Sequence, residues 1–129
     1  AVSELVRRNQ SRLADMRTEV MSLQAACGAL HAPFVLTHGE PDPPNVMATP
    51  DGRLLLLDWG TLLWAPVERE ALALRNAGID LPGQPDSLRF YELTWVLGET
   101  SEYIARFVAP HSGDAGDQDK WRQLRRWLR

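Results

Sequence analysis

The chain has 129 residues, with 14 lysines plus arginines against 17 aspartates plus glutamates and a formal charge of −3. Its 44% apolar and 24% charged composition reads as one globular domain over residues 1–129, not a disordered or collagen-like chain. The acidic balance argues against a nucleic-acid partner, no apolar stretch is long enough to span a bilayer, and the single cysteine, Cys27, suits a reducing, cytoplasmic setting. One cysteine and three scattered histidines offer no closely spaced zinc ligands.

In chain order, Val2, Leu5, Val6, Leu13, Met16, Val20, Leu23 and Cys27 recur at helical steps, with one gap near Asn9. They predict a long amphipathic helix, with Gly28 as its stop and His31-Ala32-Pro33 as a break. Phe34-Val35-Leu36 reads as a short strand, followed by the polar, proline-heavy loop from Thr37 to Asn45. Val46-Met47-Ala48, the turn Thr49-Pro50-Asp51-Gly52 and the leucine run before Leu57 predict a hairpin. The leucine strand is expected to be buried on both faces. Pro66 is expected to open a helix to Asn76, capped by Gly78. A longer helix is expected from Asp86 or Ser87 to about Val108, and a last one from Asp117, burying Trp121, Leu124 and Leu128.

The stretch from Thr37 to Gly60 carries the chemistry. The hairpin should bring Asn45, at its entry, beside Asp58, at its exit. An amide oxygen and a carboxylate are hard ligands that suit Mg²⁺, which keeps phosphate oxygens and waters for its other positions. Glu40, in the same loop, offers a carboxylate to accept a proton from an attacking hydroxyl. Such a set suits metal-assisted phosphoryl transfer. The bland alternative is a polar loop and hairpin without chemistry. Trp95, Trp121 and Trp127 fall on helical patterns and read as core or interface, and Arg122, Arg125, Arg126 and Arg129 as a solvated helix face ahead of an anion site.

His38-Gly39-Glu40, Asn45 five positions after Glu40, then a hairpin and Asp58-Trp59-Gly60 resemble the catalytic core of the aminoglycoside phosphotransferase and choline kinase-like family. That family's pattern is His-Gly-Asp, four residues, Asn, a hairpin, and an Asp that opens a short metal-binding motif. The resemblance implies a mainly α fold with a small β-hairpin (α+β), the C-terminal lobe of the protein-kinase-like fold. It implies Glu40 and His38 as the catalytic residues, Glu40 as base and His38 as brace of the loop. Asn45 and Asp58 would be the Mg²⁺ ligands, with ATP as co-substrate and a small molecule bearing a hydroxyl as acceptor. Asp42, Trp64 and Glu68 are the candidate substrate contacts. The chain departs from the pattern at Glu40 for Asp, Asp42 for His, Pro44 for Gly and Glu70 for Asp.

Only 37 residues precede His38; they read as helix and contain one glycine and no lysine. A five-stranded nucleotide-binding lobe needs roughly 50 residues or more, from the usual strand and turn lengths. That N-terminal lobe is therefore expected to be absent, and the 129 residues alone are expected to be inactive. The alternative is a non-catalytic remnant that binds a small molecule or self-associates. A homodimer or the missing lobe would then cover the apolar surface left bare.

Overall fold

Asn9 divides the long amphipathic stretch into two helices. Its side-chain amide donates to the Leu5 carbonyl at 2.8 Å while its own N–H reaches back only to Val6. A side chain that competes for a backbone carbonyl breaks the regular ladder. Helix α1 therefore spans Val2–Arg8 and α2 spans Gln10–Ala29. The computed structural model describes residues 1–29 and 32–129, so the helix-breaking role expected of His31 falls outside the described residues. Gly28 does not stop α2, which includes it.

The remaining elements are strand β1 (Phe34–Thr37), a 3₁₀ turn at Pro43–Asn45, β2 (Val46–Ala48), β3 (Leu54–Leu56), and a 3₁₀ turn at Trp59–Thr61. Then come β4 (Leu63–Pro66), a 3₁₀ turn at Val67–Glu70, α3 (Ala71–Asn76), α4 (Pro85–Val108) and α5 (Ala115–Trp127). The fold is mainly α with two small antiparallel sheets, β1–β4 and β2–β3. The expected hairpin is present, with Val46 opposite Leu56 and Ala48 opposite Leu54. Its turn closes through Gly52 N–H to the Thr49 carbonyl at 2.9 Å, and Gly52 takes φ +82°.

Two expectations need correcting. Pro66 does not open a helix: at ψ 146° it ends a strand, and β4 pairs with β1 from Phe34↔Pro66 to Thr37↔Leu63. The helical turn begins only after that pairing ends. The leucine strand is not buried on both faces either. Leu54, Leu55 and Leu57 are 72%, 39% and 41% exposed, because each sheet has two strands and no described element covers this one.

The chain divides into two compact units. The first comprises residues 1–24 and 93–129. Its core is Val2, Tyr103, Leu124 and Leu128, with Leu5, Leu13, Ile104, Phe107, Trp121 and Trp127 packed around it. Trp127 stacks on Tyr103 at 5.5 Å and meets Trp95 edge-on at 5.5 Å, so the helical tryptophans do serve as core. Leu124 is fully buried, and a leucine so placed contributes about 1.5–3 kcal/mol. Asp114 caps α5 by accepting from Asp117 N–H at 2.9 Å.

The second unit, residues 25–92, holds both sheets and α3. It buries Thr37, His38, Ala65, Glu68, Ala71 and Ser87 while leaving Phe34, Leu36, Met47, Leu54, Leu63 and Trp64 exposed. Its buried side chains are thus largely polar and its strand faces largely apolar. That inversion directs attention to what the polar groups do.

Candidate active site

The loop after β1 is held from four sides. His38 is 3% exposed, and its ring Nε2 lies 2.7 Å from the Leu57 carbonyl. Its Nδ1 accepts the Glu40 N–H at 3.3 Å. A carbonyl can only accept and an N–H can only donate, so Nε2 donates and Nδ1 accepts. In this state His38 ties the start of the loop to the end of β3. Trp59 closes edge-on against the ring at 4.9 Å, with its own Nε1 donating to the Leu56 carbonyl.

Glu70 is the second support. Its carboxylate accepts the N–H groups of both His38 and Gly39, the latter at 2.9 Å. Thr61 is the third, its hydroxyl donating to the His38 carbonyl at 2.6 Å. Arg69 is the fourth. One guanidinium nitrogen donates to Thr37 Oγ1 at 2.7 Å and another to the Thr61 carbonyl at 2.6 Å. Thr37, fully buried, donates its own hydroxyl hydrogen bond to the Leu63 carbonyl at 2.7 Å. Gly39 adopts φ +97°, a region in which glycine carries no steric penalty.

The far end of the loop is fixed to the hairpin. The Asn45 carbonyl accepts the Leu57 N–H at 2.8 Å, which brings the backbone of Asn45 beside the residue before Asp58. The Asn45 amide donates to the Glu40 carbonyl at 2.9 Å and to Asp42 Oδ1 at 3.1 Å. Both amide hydrogens are thereby used, and the amide oxygen remains. Asp58 stands at φ 58°, ψ 66°, the one described non-glycine residue in the left-handed region. Such a conformation costs of order 1–3 kcal/mol, least for Asp and Asn, and clusters at functional sites.

Side-chain atoms that would do chemistry are the ones left over. Among the described residues, no hydrogen-bond or ion-pair partner engages the carboxylates of Glu40 or Asp58 or the amide oxygen of Asn45. One carboxylate and one amide oxygen are a donor set that fits a hard cation with few protein ligands. No group of three or more His, Cys, Asp or Glu that would hold a metal by themselves occurs among the described residues.

The candidate substrate contacts fall in different settings. Asp42 is tied to Asn45. Trp64, opposite Leu36 in the β1–β4 pair, is 63% exposed. Glu68 is buried, accepts the Gln84 N–H at 3.1 Å and lies against Gly83, holding the chain that leads into α4. Sequence reasoning passed over Thr37, Thr61 and Arg69 as supports. Nothing in the local pattern marks them, since their partners are backbone carbonyls and a threonine brought in by the β1–β4 pairing.

His38 and the Leu57–Asn45 backbone bond thus tie the loop bearing Glu40 to the residue before the left-handed Asp58. The model of the phosphotransferase enzyme family matches residues 2–127, and the chain belongs to that family. It is 41% identical over 131 residues to Protein StrN of Streptomyces griseus. The alignment covers 98% of this chain and 40% of that relative, so the chain spans about two-fifths of the relative's length. No solved structure matches the chain. No described helix is long and apolar enough to cross a membrane.

Proposed function

We propose that these residues form the acceptor- and metal-binding part of a cytoplasmic kinase that transfers the γ-phosphoryl group of ATP to a hydroxyl of a small molecule. The observation that carries this reading is the pair of bonds made by Leu57. Its N–H to Asn45 and its carbonyl to His38 tie the loop bearing Glu40 to the residue preceding Asp58. Glu40 orients the acceptor hydroxyl and takes its proton. Asn45 and Asp58 would hold Mg²⁺, which would supply charge neutralisation for the phosphate oxygens. His38 positions Glu40 without exchanging protons, because both ring nitrogens are committed to backbone groups. Asp42, Trp64 and Glu68 shape the acceptor side, Glu68 through the backbone it holds.

The 129 residues contain no lysine before Lys120 and no glycine-rich strand turn ahead of His38. On this reading the part that covers the nucleotide phosphates comes from outside them. The test is paramagnetic: Mn²⁺ in place of Mg²⁺ should broaden the amide resonances of Glu40, Asp42, Asn45 and residues 57–60, and Asp58→Ala should abolish the effect. Broadening that survives in the variant, or that falls elsewhere in the chain, would refute the assignment. With ATP and Mg²⁺, the 129 residues alone should show little turnover.

One observation favours a second reading, a non-catalytic module that self-associates. Phe34, Leu36, Leu54, Leu63 and Trp64 are all more than half exposed on short, two-stranded sheets. Apolar edges of this kind pair readily with another chain. Light scattering that shows a monomer at every concentration would count against it.

A further inference from the structure

Helix α5, in the first unit, gathers its arginines on one side. Arg122, Arg125 and Arg126 share one face of α5, and with Arg129, two residues past its end, they line one concavity of about 130 Å³. The other face carries Leu124 and Leu128, 0% and 1% exposed, so the helix cannot turn to spread the charges. Arg122 is paired with Asp119 at 3.0 Å, and Asp119 also accepts from Gln123 at 2.8 Å. Among the described residues no carboxylate pairs with Arg125, Arg126 or Arg129. The helix C-terminus contributes a partial charge of roughly −0.5, which offsets only a small part of four positive charges.

We propose that this concavity is a binding site for a small, multiply charged phosphate anion such as a soluble polyphosphate. Arginine presents a planar fork that grips phosphate oxygens two at a time, and a lysine would not. Of the chain's 14 basic residues, only Lys120 is a lysine. The cavity is small, and the chain as a whole carries −3, so an extended polyanion would meet net repulsion beyond the patch. A compact anion feels the four guanidinium groups alone. The site is independent of Glu40, Asn45 and Asp58, and it stands whether or not those residues catalyse phosphoryl transfer.

The test is calorimetric titration of inorganic tripolyphosphate into the chain, with a chelator present and at physiological salt, about 0.15 M. Saturable binding is expected. It should weaken at least about tenfold in Arg125→Gln/Arg126→Gln, which removes two charged donors groups from the cavity. Arg125→Lys/Arg126→Lys keeps charge and helix propensity, so it reports on the site even if the glutamine pair disturbs folding. It too should bind more weakly, because the two-pronged contact is lost. Asp58→Asn should bind as the parent does. Absence of saturable binding, parent-like binding by both double variants, or loss of binding in Asp58→Asn would overturn the proposal. So would a preference for duplex DNA or anionic vesicles over tripolyphosphate.

Discussion

The guanidinium of Arg69 occupies the space a side chain on Gly39 would need: a Cβ added there would lie 2.3 Å from Nη2 and 2.6 Å from Cζ. Gly39 is also at φ +97°, so a side chain is opposed twice, by its own backbone and by its neighbour. Gly39→Ala should destabilise the chain by about 1–3 kcal/mol, the range for backbone strain at such a position. It should also loosen the Arg69 bonds to Thr37 and Thr61. Denaturant unfolding measures the first effect. A midpoint equal to the parent's would mean that Arg69 moves aside without penalty.

Glu70 makes a separate prediction. Its carboxylate satisfies two backbone N–H groups, those of His38 and Gly39. Glu70→Ala should cost about 1–3 kcal/mol for each donor left buried without a partner. Glu70→Gln, which keeps an acceptor oxygen, should cost less. Amide hydrogen exchange at His38 and Gly39 is the direct readout, and it should quicken in the alanine variant more than at β2 or β3.

Acid should weaken the start of α5. The hydrogen bond from Arg106 holds the Asp117 carboxyl down at about 2, against the opposing push of burial; the Gly113 N–H and the Ser112 hydroxyl lower it further. The ordinary value is 3.8, so the folded state binds this proton less readily than the unfolded chain. The stabilisation is therefore complete above about 3.8 and is lost as pH falls towards about 2. Asp114, whose carboxyl is lowered by Ser112 and the Asp117 N–H, adds in the same direction. Unfolding followed across this window should show stability falling with acid, and Asp117→Asn should flatten that dependence.

Thr100 predicts a gain. It is 2% exposed on α4, and its hydroxyl has no hydrogen-bond partner among the described residues. Burying an unpaired hydroxyl is unfavourable, and valine has nearly the same shape. Thr100→Val should stabilise by about 1 kcal/mol, seen as a higher denaturant midpoint with an unchanged slope.

What the sequence discloses depends on how local the cause is. The hairpin is legible because Thr49-Pro50-Asp51-Gly52 carries its own turn chemistry, and α5 because Trp121, Leu124 and Leu128 repeat at helical steps. The loop from His38 to Asn45 is legible as a motif for the same reason. The β1–β4 pairing is not, since Phe34 and Pro66 meet across 31 intervening residues with no turn signal to announce it. The supports that depend on that pairing, Thr37, Thr61 and Arg69, are hidden with it. The exposure of Leu54 and Leu55 is hidden too, because four consecutive leucines look alike whether or not another layer covers them.

Asp58 carries a consequence of another kind. Its backbone at φ 58° is one that glycine would adopt without penalty. Under the proposed reading, in which the carboxylate serves a cation, exchange for glycine trades that service for a relaxed backbone. Asp58→Gly should therefore raise the unfolding midpoint while removing the metal response.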